Sequence, residues 1–205
     1  MKDKEREKYA SVMNEIKRRT NVVYAFLNGE RNAMYQAVNI ELMCLQIRKI
    51  LELIALSSLV ANQKIFLRQV QNLKKMWNAK LILKDIERLN PDFYPNPIYE
   101  KPSDLEGVEN DLINIKEGYL NKEDFIKAYD ACGKILHAEN PLGHKIDYKY
   151  YETNILIWMG KIKLLLNCHT IKLLNDNNLY VVHMQEQGKE SSTVYVFELI
   201  KTLHL

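Results

Sequence analysis

Glycine and proline are scarce in this chain, seven and five among 205 residues. A protein with so few turn formers is not expected to be a many-stranded sandwich or barrel. Cysteine is scarcer still: Cys44, Cys132 and Cys168 are widely spaced, with no CxxC pair. That spacing supports neither a disulfide framework nor a zinc knuckle, and a reducing, cytoplasmic setting is the expected one. No charge of one sign dominates, since 29 basic and 26 acidic residues leave a net +3, too even to argue for nucleic acid by itself. The most apolar stretch, Ile40 to Ala61, contains Glu41, Arg48, Lys49 and Glu52, which argues against a membrane span. The opening Met-Lys-Asp-Lys-Glu-Arg-Glu-Lys has no apolar run behind it, so no signal peptide is expected. P-loop, GxGxxG, HExxH and GxSxG motifs are all missing, and no cofactor or metal is expected.

What is present is helical periodicity. Lys4 to Leu27 carries Tyr9, Val12, Met13, Ile16 and Val23 at helical spacing, the pattern of an amphipathic surface helix. Asn28-Gly29 stops it. A second helix is expected from about Glu30 to Asn62, apolar almost all round from Ile40 to Val60, and such a helix belongs at the centre of a bundle. The pattern stays helical from Gln63 to Leu89, read as two pieces with a break near Trp77-Asn78. Four of the five prolines then fall between Pro91 and Pro102, which predicts an extended surface loop continuing to about Leu120. Asn121 to Asp124 fits a helix start, and Pro141 ends that helix near Ala138. Asp147 is placed to cap a last long helix reaching about Leu174. Two β-branched and aromatic runs, Leu179–Met184 and Thr193–Phe197, flank a polar turn with a glycine, a hairpin signal. The expected architecture is therefore a mainly α antiparallel helical bundle over residues 1–178, with a loop insertion at about 90–120 and a small β-hairpin over 179–205 packed on the bundle.

Two constellations carry chemistry. Gly133, His137 and Asn140 are four and three apart and line one stripe near a helix end. Gly133 costs about 1 kcal/mol relative to alanine in a helix, and its bare backbone leaves room for a ligand or a neighbouring helix. The negative end of a helix favours an imidazolium, and an imidazole is the usual proton carrier near neutral pH. The competing reading is a satisfied structural histidine above a helix-packing glycine. Arg48 and Glu52, four apart on the central helix, can pair on one face; a guanidinium there either faces a cleft or is locked in a structural ion pair. Several further candidates are weaker. His169 reads as a residue on the apolar side of the last helix, and its neighbour Cys168 points to another face, a poor pair for one metal. His137 and His144 are separated by a Pro-Gly turn. Lys17, Arg18 and Arg19 read as a solvated face, and Tyr148, Tyr150 and Tyr151 as a helix anchor or a base-stacking cluster.

The segment Glu41-Leu-Met-Cys-Leu-Gln-Ile-Arg-Lys-Ile-Leu-Glu-Leu-Ile-Ala55 and the late-helix histidine in Gly133-Lys-Ile-Leu-His137-Ala-Glu-Asn-Pro141 together resemble the HEPN superfamily over roughly residues 30 to 175. The resemblance implies a bundle of four or five helices, often dimeric, in which many members are metal-independent endoribonucleases of toxin–antitoxin, CRISPR or phage-defence systems. Their hallmark is an arginine followed, four to six residues on, by a histidine. His137 stands at the histidine position, whereas Asp130, Ala131 and Cys132 stand where the arginine would be. Arg48, reaching across from the central helix, is the expected substitute. The resemblance implies a cytoplasmic homodimer acting on RNA or a nucleotide, with an antitoxin-like partner possible. His137 would be the acid or base and Arg48 would stabilise the phosphorane. Asn140 would hold a phosphate oxygen or orient the imidazole, with Glu52 positioning Arg48. The alternative is a non-catalytic nucleotide-binding or protein-interaction bundle, in which the same stripe is a seam or a pocket.

Overall fold

The computed structural model describes residues 1–62 and 78–198. The first of the two helical pieces read after Gln63, with Ile65, Val70 and Leu73, lies outside the described residues, as does the end of the expected hairpin segment beyond residue 198.

Apolar spacing sets the helical layer. Helix α1 spans Asp3–Leu27 and buries Tyr9, Met13, Ile16 and Val23 on one stripe. Helix α2, Gln36–Ala61, buries residues on nearly every side, among them Ile40, Cys44, Ile47, Ile50, Leu51 and Ile54. It is the most buried of the described helices, as its composition predicts, and it packs against α1, against α3 (Ala79–Leu89), against α4 (Lys122–Ile135) and against α5 (Tyr148–Leu166). Side-chain caps start the later helices. Asn78 Oδ1 accepts from the backbone of Lys80 and Leu81, Asn121 Oδ1 from Asp124 N at 2.8 Å, and Asp147 Oδ1 from Tyr150 N at 3.0 Å. Such caps satisfy backbone donors that a helix start otherwise leaves open.

The expected bundle with a terminal hairpin is overturned by a five-stranded antiparallel sheet that is central to the fold. Its strands are β1 (Asn96–Pro102), β2 (Asn110–Asn114), β3 (Cys168–Ile171), β4 (Leu179–His183) and β5 (Thr193–Phe197), in the order β2-β1-β3-β4-β5. The hairpin exists, as β4 and β5, but it is two strands of this sheet. The stretch read as a loop at 90–120 supplies two more, and the last helix stops at Leu166 where β3 takes over. Alternation along the strands turns His169, Ile171, Tyr180 and Val182 into the helical core. His169 is fully buried: its Nδ1–H donates to the Leu166 carbonyl at 2.9 Å, and its Nε2 accepts from the Tyr9 hydroxyl of α1 at 2.9 Å. No described helix is long and apolar enough to cross a membrane.

Candidate functional site

Arg48 leaves α2 halfway along its length and crosses to α4. Its guanidinium carbon lies 3.9 Å over the Tyr129 ring. Nη1 donates to the Tyr129 carbonyl at 3.1 Å and Nη2 to the Tyr129 hydroxyl at 2.8 Å. Nε lies 3.5 Å from Glu52 Oε1, one turn along α2, and the Tyr129 hydroxyl donates to the same oxygen at 3.3 Å. Burial pushes the Tyr129 hydroxyl above its ordinary range, with Arg48 pulling the other way, so it stays a neutral donor. A largely buried arginine is costly unless paired and hydrogen-bonded, and this clasp supplies both.

Gly133 explains how the clasp fits. Helical side chains tilt toward the preceding turn, so a Cβ at 133 would project over the Tyr129 carbonyl, where it would collide with Arg48 Nη1. The room that this glycine leaves is filled by a side chain from the neighbouring helix, one of the two uses that its sequence context allows.

His137 is exposed and sits just past the end of α4, beyond the cap residue Leu136; its backbone N–H donates to the Lys134 carbonyl at 3.4 Å. Arg48 and His137 line one open cleft of about 440 Å³, together with Asn78, Lys80, Tyr129, Asp130, Gly133 and Lys134. Among the described lining residues three cationic side chains accompany the imidazole, and the one carboxylate, Asp130, is paired with Lys80 at 2.7 Å. Glu52 stands behind Arg48 and is not part of the lining. Asn140 is not part of it either. Its side chain accepts from Leu142 N at 3.0 Å and its carbonyl from Gly143 N at 2.8 Å, closing the turn after α4. Of the four residues expected to converge, Arg48 and His137 line this cleft, Glu52 pairs with Arg48 behind it, and Asn140 lies outside it.

Sequence reasoning passed over Tyr129, Lys80 and Lys134. Tyr129 is four residues before Gly133, so it lies on the same stripe of α4, and that spacing was the available signal. Lys80 had none, because its place depends on how α3 packs. Two of the tyrosines read at the start of the last helix are packed structurally. Tyr150, Tyr151 and Trp158 form an edge-on aromatic cluster, and Tyr151 ties its hydroxyl to the Ala131 carbonyl at 3.1 Å.

No protein-family model, curated protein or solved structure matches the chain.

Proposed function

We propose that the cleft between α2 and α4 binds the phosphate backbone of RNA, and that His137 carries a proton in its cleavage. The observation that carries this reading is the meeting of Arg48 and His137 on one cation-lined cleft. A guanidinium held in one place by Tyr129 and Glu52 is a preorganised charge at the cleft wall, and preorganised charge is usually the largest electrostatic contribution to catalysis. Lys134 adds charge at the rim without sequence preference, beside the Lys80–Asp130 ion pair. Cleavage would be an internal transesterification: the ribose 2′-hydroxyl attacks the adjacent phosphorus and loses its proton, the 5′-oxygen leaves and gains one, and His137 carries one of these two protons and solvent water the other. This reading rests on the cleft and not on a bundle fold.

The test is binding and cleavage of mixed single-stranded RNA, with EDTA present and absent. His137→Ala is expected to lower the cleavage rate by about 10²–10⁴-fold with no change in melting temperature, because the side chain is exposed. Binding should weaken steeply with salt. RNA that neither binds nor is cut would refute the function. Binding without cleavage would select the second reading, a non-catalytic module, which the inward commitment of Arg48 to Tyr129 and Glu52 favours. A homodimer belongs to the same proposal, and the exposed apolar stripe of α5 is its candidate seam.

A further inference from the structure

Three strands bring a sulfur, a nitrogen and a carboxylate to one point on the sheet, on the face opposite His169 and the helices. Cys168 of β3 lies directly across from His183 of β4 in the ladder, so the two side chains share a face. Glu100 of β1 joins them. Cys168 Sγ, a ring nitrogen of His183 and a carboxylate oxygen of Glu100 all lie within 4.8 Å of one another, and His183 Nε2 is 3.1 Å from Glu100 Oε1. The other ring nitrogen is held from behind. Nδ1 is 3.2 Å from Glu186 Oε1. Lys189 grips the far oxygen of that carboxylate at 2.5 Å and reaches the Tyr195 hydroxyl at 3.1 Å, and the Tyr195 ring packs edge-on against the imidazole. Glu186 Oε1 is buried without a hydrogen bond, so a small ring rotation that aims Nδ1–H at it is favourable. One nitrogen on a carboxylate and the other facing two further donors is the arrangement that orients a metal-binding histidine.

We propose that Glu100, Cys168 and His183 bind one divalent transition-metal ion of the zinc class, through Oε, Sγ and Nε2, with the fourth, solvent-facing position taken by water. The mixed sulfur, nitrogen and oxygen set suits zinc, whereas magnesium and calcium call for oxygen donors throughout. Tetrahedral zinc bonds of about 2.0–2.3 Å place ligand atoms about 3.3–3.6 Å apart. The histidine and the glutamate already stand near that spacing, and rotation about the Cys168 side chain brings in the sulfur. Binding exchanges the Cys168 S–H bond for a sulfur–metal bond and releases one proton to solvent. Three protein ligands with an open position form the type of zinc site that retains a water. The site is remote in the fold from the α2–α4 cleft and does not depend on the RNA reading.

The test uses the whole chain, titrated with Zn²⁺ alone by calorimetry and with Co²⁺ alone by absorption. One ion per chain is expected, with a thiolate-to-cobalt charge-transfer band and the visible bands of a tetrahedral site. Cys168→Ser should abolish the charge-transfer band, and it and His183→Gln should each weaken Zn²⁺ binding by more than about tenfold; Glu186→Gln should weaken it by about tenfold and keep the band. Circular dichroism establishes that each variant is folded, and His183→Gln, on the neighbouring strand, decides the question if Cys168→Ser does not fold. A folded wild-type chain with no thiolate band, or a Zn²⁺ affinity unchanged in both ligand variants, would overturn the proposal.

Discussion

His169 shows how far burial alone can set a residue's chemistry. Its ring is sealed between Leu166 and Tyr9, and burial lowers its pKa from 6.5 to about 4. Between those two values the unfolded chain binds a proton that the folded one refuses. Stability therefore rises with pH across the window: the contribution is complete above about pH 6.5 and is lost as pH falls toward 4. A shift of this size is worth about 3 kcal/mol. Urea unfolding of wild type and His169→Gln, compared from acid to neutral pH, should show the wild-type advantage growing with pH; parallel curves would mean that the folded histidine is not held neutral. Gly133 permits a second test. Gly133→Ala gains about 1 kcal/mol of helix propensity but pushes Arg48 Nη1 off its charge-assisted hydrogen bond to the Tyr129 carbonyl and disturbs the one from Nη2, a loss of about 2–4 kcal/mol in all. Net destabilisation of about 1–3 kcal/mol is expected in denaturant titrations, together with weaker RNA binding. A variant more stable than wild type would show that the Arg48 clasp contributes little.

The elements divide by how local their causes are. Helices α1, α2, α4 and α5 were legible because their apolar spacing and caps lie within the segment itself: Asn121 and Asp147 announce the starts that they make. The strands were legible only where β-branched residues cluster, in β4 and β5. Strand β1 holds Pro97 and Pro102, and prolines normally demote a run from strand to loop. It survives because its two ladders are offset. It pairs with β3 only at Asn96 and Pro97, and with β2 from Ile98 to Pro102. The Pro97 carbonyl accepts from Ile115 N at 2.9 Å, so its nitrogen also faces β2, at the point where that ladder begins. The missing N–H thus removes one terminal bond and leaves the pairing with β3 intact. Strand β3 was hidden for a different reason. Trp158, Ile162, Leu166 and His169 continue a helical rhythm, and from Lys161 to His169 no glycine or proline stops it. The break comes from tertiary pairing, with Met184 N donating to the Asn167 carbonyl at 3.0 Å and β4 alongside. Register between strands distant in sequence cannot be read from either strand alone, so Cys168 was weighed against its sequence neighbour His169 and not against His183.

At the scale of the molecule, half of the candidate cleft was legible. A costly arginine on an apolar helix and a glycine four residues before a histidine each signalled a special environment, and α2 against α4 brings them together. Asn140 was grouped with them by helical spacing, but α4 ends at Ile135 and the chain turns before reaching it. Among the described residues, the same helix-and-sheet packing leaves one large apolar feature uncovered. On α5, Tyr150, Leu156, Ile157 and Leu164 are exposed, and Gly160 lies among them with open space above it. At 100° per residue these positions fall within an arc of about 120°, so they form a stripe and not a scatter, and scattered apolar residues are what an ordinary surface shows. A stripe centred on a glycine lets two copies of one helix approach closely about a twofold axis, the commonest symmetry of homo-oligomers. Light scattering on the purified chain should give the mass of a dimer. Ile157→Lys combined with Leu164→Lys should give the monomer mass and leave the secondary structure intact, because neither side chain contributes to the core. A wild-type monomer across the accessible concentration range would remove the dimer from the proposal, and an undisturbed dimer in the double variant would move its seam away from α5.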